Sequence, residues 1–433
     1  MMFRCLAVLM LLVLGSCAST STALNTRPCP ADVPSDARCV AGTDSAGAHF
    51  IIAMPAQWNG VLVLHAHGGP ELGAPELKRT EEDLKRWSVF ARAGYAWAGS
   101  SFRMGGVSVR TAAEDTERLR ALFVERFGKP KRVILHGQSW GASVAARAAE
   151  TSKPLYDGVL LTSGVLGGGS KSYDVRLDLR VVYQTVCNNH PRPDEPVYPL
   201  WQGLPLDSKL TRAELTRRVG ECTGIGTPAA ARTDQQRRNL KTLLDVIRIP
   251  ERSLNGHLAW GTWHFQDIVF KRLGGRNPFG NDTVRYAGSP DDADLNARML
   301  RYRADASARA AFAADTDPTG RITAPVLTLH GIDDPVAFIE LESAFRDAMQ
   351  RAGTADHLVQ VYTRDSEHSY LSDAQYIAAI EALLAWVEQG TRPDAQSLAT
   401  RCAQVAAKFD PVNGCRIAAS YQPAPLASRV PPR

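Results

Sequence analysis

The stretch HGQSWGAS, His136 to Ser143, carries Gly-x-Ser-x-Gly with Ser139 at its centre. Five residues of that form are only a turn unless the surroundings supply a strand, a helix, a base, an acid and an oxyanion site. The strand is predicted at Arg132 to Leu135, through the apolar run Val133-Ile134-Leu135, and the helix at Ala142 to Glu150. Between them the chain must turn sharply, which puts the serine in a strained conformation. Small residues two before and two after it then let neighbouring backbone come close. Gly137 and Gly141 meet that requirement.

A serine hydroxyl is a poor nucleophile at its ordinary pKa and needs a base, which in turn needs an acid to orient it. The acid is expected in PVLTLHGIDDPV, Pro325 to Val336, where a strand ends at His330 and Asp334 lies four residues on. Asp333 is the rival for that role. The base is expected in VYTRDSEHSYLS, which follows another strand and offers His368. The order Ser139, Asp334, His368 matches one triad architecture and not the others. A glycine-bearing loop, His67-Gly68-Gly69-Pro70, follows the apolar run Val61 to His65.

Together these residues resemble the α/β-hydrolase superfamily of serine hydrolases, over Phe50 to Gly168 and Ile322 to Gln389. The resemblance implies an α/β fold, a mostly parallel sheet flanked by helices, with a cap inserted after the sixth superfamily strand. It implies an oxyanion hole from the backbone N–H groups of Gly69 and Trp140, with His67 and Gly68 completing the motif. No metal or organic cofactor is required. HGGP with GQSWG also resembles the proline-iminopeptidase branch. The chain departs from that branch at Glu71-Leu72-Gly73 and at Ser366-Glu367, which precede His368.

Three functions are therefore weighed: an esterase, an aminopeptidase, and a binding protein on the same fold that has lost catalysis. Trp140, Trp260 and Trp263 favour a small carboxylic ester, aromatic ones included, over a short peptide. The aminopeptidase needs a cap carboxylate for the substrate's amino group, with Glu195, Glu214 and Glu251 as candidates. His65, His136 and His330 sit at strand ends and read as packed core, whereas His257 and His264 fall in the cap.

Elsewhere strands are expected at His49–Met54, Tyr95–Ser100, Gly158–Thr162, Pro325–His330 and His357–Tyr362. Helices are expected at Thr111–Phe127, Phe338–Gln350 and Asp373–Glu388. The alternation breaks between Gly167 and Arg321, a stretch too long for a loop. The expected organisation is a core of 24–168 and 321–392, a cap over 169–320, and an extension over 393–433. That extension is expected to end in a loose proline-rich tail from Tyr421.

The chain has 433 residues, 44% hydrophobic and 22% charged, with a formal net charge of +5 and no block of like charges. That balance points away from nucleic acid as a partner. At the N-terminus, Arg4 precedes an apolar run from Cys5 to Leu14, shorter than the ~20 residues needed to span a bilayer, as in a signal peptide. Leu14-Gly15-Ser16-Cys17 resembles a bacterial lipobox, making Cys17 the candidate lipidation site and a lipid anchor, in the outer membrane by preference, the one membrane contact. Cleavage after Ala23, giving a periplasmic or secreted protein, is the alternative for 1–23. Either route implies export and disulfides. Cys29–Cys39, Cys187–Cys222 and Cys402–Cys415 are the expected pairs, since no metal-binding cysteine or histidine spacing is present.

Overall fold

Residues 24–150 and 154–433 are described by a computed structural model. The strands are β1 (Asn25–Arg27), β2 (Arg38–Thr43), β3 (His49–Met54), β4 (Val61–Ala66), β5 (Ala96–Ser100), β6 (Arg132–Gln138), β7 (Gly158–Thr162), β8 (Val326–Gly331), β9 (Leu358–Thr363) and β10 (Ile417–Ala418). They form one sheet in the order β1-β2-β3-β5-β4-β6-β7-β8-β9-β10. Every neighbouring pair from β5 across to β9 is parallel, so the carboxyl ends of these strands share one edge. β1, β2 and β3 pair antiparallel on one side and β10 on the other.

The parallel strands are apolar at successive positions because both faces of the sheet are covered. In β4, Leu62 and Leu64 join one core layer while Val61 and Val63 join the other. In β7, Val159 and Leu161 face the first layer and Leu160 the second. On one side of β4 the chain continues to β5, and on the other lies β6. The strand order reverses there, which opens a crevice at the carboxyl edge. With the edge strands β1 and β10 set aside, β7 is the sixth strand, and the chain leaves the sheet after it until β8. This is the α/β-hydrolase fold.

Between β7 and β8 the chain forms helices and no strand among the described residues, but its first helix is longer than the scattered pieces the sequence suggests. A 20-residue helix, Gly168–Cys187, opens the insertion. It is buried around almost its whole circumference, so it shows no polar face for a helical period to reveal. Its charged residues instead find partners inside the protein. Asp174 pairs with Arg309 at 2.7 Å and Asp178 with Arg433 at 2.6 Å, while Arg180 donates to the carbonyls of Gly203 and Gly261 at 2.8 and 2.7 Å.

The tail from Tyr421, expected to be loose, is packed down. Val430 is buried, Arg429 pairs with Glu340 at 2.8 Å, and Arg433 reaches the insertion helix. The extension before it contains the helix Ala395–Phe409, which packs along the helix Asp373–Gln389.

The structure joins Cys29 to Cys39, Cys187 to Cys222 and Cys402 to Cys415. Three bridges are characteristic of chains that fold outside the reducing cytoplasm. Among the described residues no helix is long and apolar enough to cross a membrane. The apolar run, Cys17 and the cleavage site after Ala23 lie outside the described residues. The bridge from Cys187 to Cys222 spans 35 residues and ties the insertion helix to the helix Arg212–Thr223. The double variant Cys187→Ser/Cys222→Ser should lose about 3–4 kcal/mol by loop-closure entropy. Urea unfolding of both chains without reductant measures that loss.

Candidate active site

β6 delivers Ser139 to the crevice. The residue has φ 57° and ψ −122°, and the Ala-rich helix Trp140–Ala149 begins directly after it. A Cβ on Gly141 would lie 2.0 Å from the Ala66 carbonyl oxygen and 2.5 Å from that of His67. One on Gly137 would lie 2.4 Å from the Gly141 carbonyl oxygen and 2.6 Å from the Ala145 Cβ. Both glycines are thus steric requirements of the turn. The Ser139 N–H donates to the Thr162 carbonyl at 3.0 Å, and its own carbonyl accepts from Val165, so the strained residue is held from both sides.

The side chains expected from the sequence meet here. Ser139 Oγ lies 2.8 Å from His368 Nε2, and His368 Nδ1 lies 2.8 and 3.0 Å from the two oxygens of Asp334. The geometry requires Nδ1 to donate to the carboxylate and Nε2 to accept from the hydroxyl. Asp333, the rival acid, is exposed, whereas Asp334 is buried and faces the histidine. Asp334 Oδ1 also accepts from the backbone N–H groups of Val336 and Ala337 at 2.8 and 3.0 Å. Burial pushes this carboxyl up, but the adjacent His368 and His330 outweigh it and hold it well below the usual carboxylate range.

Gly68 and Gly69 lie beside Ser139 in the wall of one cavity of about 290 Å³, together with Trp140 and His368. Among the described residues no acceptor takes a hydrogen bond from the N–H of Gly69 or of Trp140. The Trp140 group stands at the start of its helix, where an N–H has no partner within the helix. His67 braces the loop by donating from Nδ1 to the Gly68 carbonyl at 2.5 Å and stacking on Phe102 at 4.2 Å. A Cβ on Gly68 would strike Gln138 Oε1 at 2.4 Å.

Other parts of the cavity were not foreseen. Arg79, Arg86 and Arg176 line it, with Tyr173 from the insertion helix, and Glu71 is its single carboxylate among the described residues. Arg79 holds Glu71 at 3.0 Å and also contacts Asp83 at 3.2 Å. Arg86 donates to the Ser369 carbonyl, and Gln138 donates to the Ser369 hydroxyl, which together fix the loop carrying His368. No local motif announces these residues: Arg176 and Tyr173 come from the insertion, whereas Glu71, Arg79 and Arg86 come from the segment between β4 and β5. Trp260 and His264 reach the cavity from a π-helical turn, whereas Trp263 packs under Arg212. None of Glu195, Glu214 and Glu251 lines it. The first two bind Arg218, at 2.7 and 2.9 Å, and the third binds Arg232 at 2.9 Å.

The histidines at the strand ends are buried, as expected, but in two electrostatic states. His65 and His136 share a 2.9 Å contact between their Nδ1 atoms, so at most one can donate, and burial pushes His136 down to about 3. Burial likewise pushes His257 and His264, in the insertion, down to about 3. His330 is the opposite case. Its Nδ1 faces a Glu342 carboxylate oxygen and its Nε2 the Ala337 carbonyl, both at 2.9 Å, so both nitrogens must donate. Burial opposes that charge, but the Glu342 carboxylate bonded to Nδ1 and the nearby Asp334 carboxylate prevail and push its pKa up to about 10.

No family model matches the sequence. Over 117 residues the chain is 28% identical to an o-phthalyl amidase of Xanthobacter agilis. That match covers 26% of this chain and spans about a quarter (24%) of the curated relative's length. Among solved structures, an esterase from Aspergillus oryzae aligns over 86% of this chain and 87% of its own, at 13% identity and a TM-score of 0.42. A puromycin hydrolase aligns over 85% of this chain and 39% of its own, at 15% identity and a TM-score of 0.38.

Two outcomes follow for stability against pH. The depressed histidines stabilise the fold fully above their unfolded pKa of 6.5, and that contribution should be lost on acidification towards pH 3. His330, raised from 6.5 to about 10, contributes fully below 6.5 and should lose its contribution as pH rises through 10. Urea midpoints across this range should fall at both ends, and His330→Gln should flatten the alkaline limb. At neutral pH His330→Gln should cost about 3–5 kcal/mol, because Glu342 is left buried without its cation.

Proposed function

We propose that the protein is a serine hydrolase that cleaves a carboxylic ester by two-step acyl transfer. The observation that carries this reading is the unbroken hydrogen-bond chain from Ser139 through His368 to Asp334. Ser139 Oγ attacks the carbonyl carbon while His368 Nε2 takes the hydroxyl proton. Asp334 holds the imidazole by Nδ1 and stabilises the imidazolium as it forms. The carbonyl oxygen gains charge, and the free N–H groups of Gly69 and Trp140 receive it. His368 then gives its proton to the leaving alkoxide. Water, activated by the same imidazole, hydrolyses the acyl-serine and returns the enzyme.

An ester is favoured over a peptide with a free amino terminus because of the charges around Ser139. A substrate ammonium group would need an unengaged carboxylate in the cavity, and Glu71 is already held by Arg79. The segment 169–320 serves as the cap that roofs this cavity. We further propose export of the chain with lipid attached at Cys17.

Ser139→Ala should abolish labelling by a fluorophosphonate probe and lower kcat/KM for p-nitrophenyl esters at least ~10⁴-fold. Labelling that persists in the variant would falsify the assignment. Faster turnover of aminoacyl-p-nitroanilides than of p-nitrophenyl esters would reverse the choice of bond. Metabolic labelling with a radioactive fatty acid should mark the full chain and not its Cys17→Ser variant.

A further inference from the structure

Arg176 stands apart from the other charged residues of the insertion helix. It is 7% exposed and lines the same cavity as Ser139 and His368. Its Nη1 donates to the Ser172 carbonyl at 2.6 Å, and its guanidinium lies over the rings of Tyr173 and Trp260, at 5.1 and 4.9 Å. Its Nε is buried without an acceptor. Among the described residues no carboxylate lies within ion-pairing distance of it. The two acids beside it on the helix are engaged elsewhere, Asp174 by Arg309 and Asp178 by Arg433.

A cation taken from water without a counter-charge is costly, and two aromatic faces return only part of that cost. Such a group is kept where something outside the protein completes it. Arginine, with several donors in a planar fork, is suited to a carboxylate. The aromatic rings that bracket it also provide a flat apolar wall for the body of the same ligand.

We propose that Arg176 binds a carboxylate group of the substrate, so that the preferred ligands are acids or half-esters carrying a free carboxylate on an aromatic or apolar body. This rests on the serine-hydrolase reading for the word substrate, but not for binding. Asp334 is turned away into its contacts with His368 and the backbone, so it does not compete for the guanidinium. Arg86 in the same walls adds positive potential, while Glu71, the cavity's one carboxylate among the described residues, is held by Arg79.

The test is calorimetric binding of benzoate, with benzamide as its neutral counterpart, to the Ser139→Ala chain and to that chain with Arg176→Met or Arg176→Lys. A charge-assisted contact should make benzoate bind about 10-fold or more tighter than benzamide. Arg176→Met should erase the preference, and Arg176→Lys should retain part of it. If Arg176→Met fails to fold, the ratio in the Ser139→Ala chain and its decline in Arg176→Lys decide the matter. No preference for benzoate, or an undiminished one after Arg176 is replaced, overturns the proposal. Because the nucleophile is absent, this result is independent of catalysis. Fluorophosphonate labelling of the parent chain reports separately on the hydrolase reading.

Discussion

The contact on which the site depends is the approach of the Gly141 backbone to the carbonyls of Ala66 and His67. Only a hydrogen fits at that Cα, since a methyl group would sit inside the carbonyl oxygen of Ala66. The helix that follows Ser139 can therefore begin against the end of β4, beside the loop that bears Gly68 and Gly69. One close approach fixes two things together: the outward turn of Ser139, and the distance between the two free N–H groups and its hydroxyl. The bonds from Ser139 to Thr162 and Val165 secure the same turn from β7. The parallel order of the strands then sets where Asp334 and His368 arrive, because every relevant strand ends on one edge.

Behind His368, charges alternate through the interior from Glu342 to His330 and Asp334. The 3.6 Å separation of His330 Nε2 from Asp334 Oδ2 is too long for a good hydrogen bond. It is short enough for the imidazolium charge to act in a dry interior. Asp334 is thus kept ionised from two sides, while Thr328 and Gln360 satisfy the far oxygen of Glu342 at 2.8 and 2.6 Å. His65 and His136, on β4 and β6, have among the described residues only each other and Thr162 as polar partners and are held neutral. The same residue type near the carboxyl ends of parallel strands takes opposite charge according to its neighbours.

Much of this was legible in the sequence wherever local rules apply. The apolar runs of β4, β6, β7, β8 and β9 needed no partner to be recognised, and Gly137 and Gly141 fixed the turn. Asp334 and His368 were readable as candidates because each follows a strand end, whereas Gly69 and Trp140 entered only through the family resemblance. The short, weakly apolar strands β1, β2 and β10 escaped because they lie at or near the sheet's edges, where composition is less constrained. The helix Gly168–Cys187 escaped because glycines at its start and buried ion pairs along its length mask its period. Arg176 is a charged residue like any other until the folded chain removes its carboxylate partners. The packed tail was unreadable for the same reason, since Arg429 and Arg433 are anchored by acids 89 and 255 positions away.

The three disulfides join cysteines 10, 35 and 13 positions apart, in strict succession along the chain. No loop closed by one bridge encloses or crosses another. Among the six described cysteines each native pair is complete before the next one in sequence appears, so nearest-neighbour pairing of these six yields the native connectivity at every step. A shuffling catalyst, needed where bridges interlock, has no topological error to correct in this arrangement.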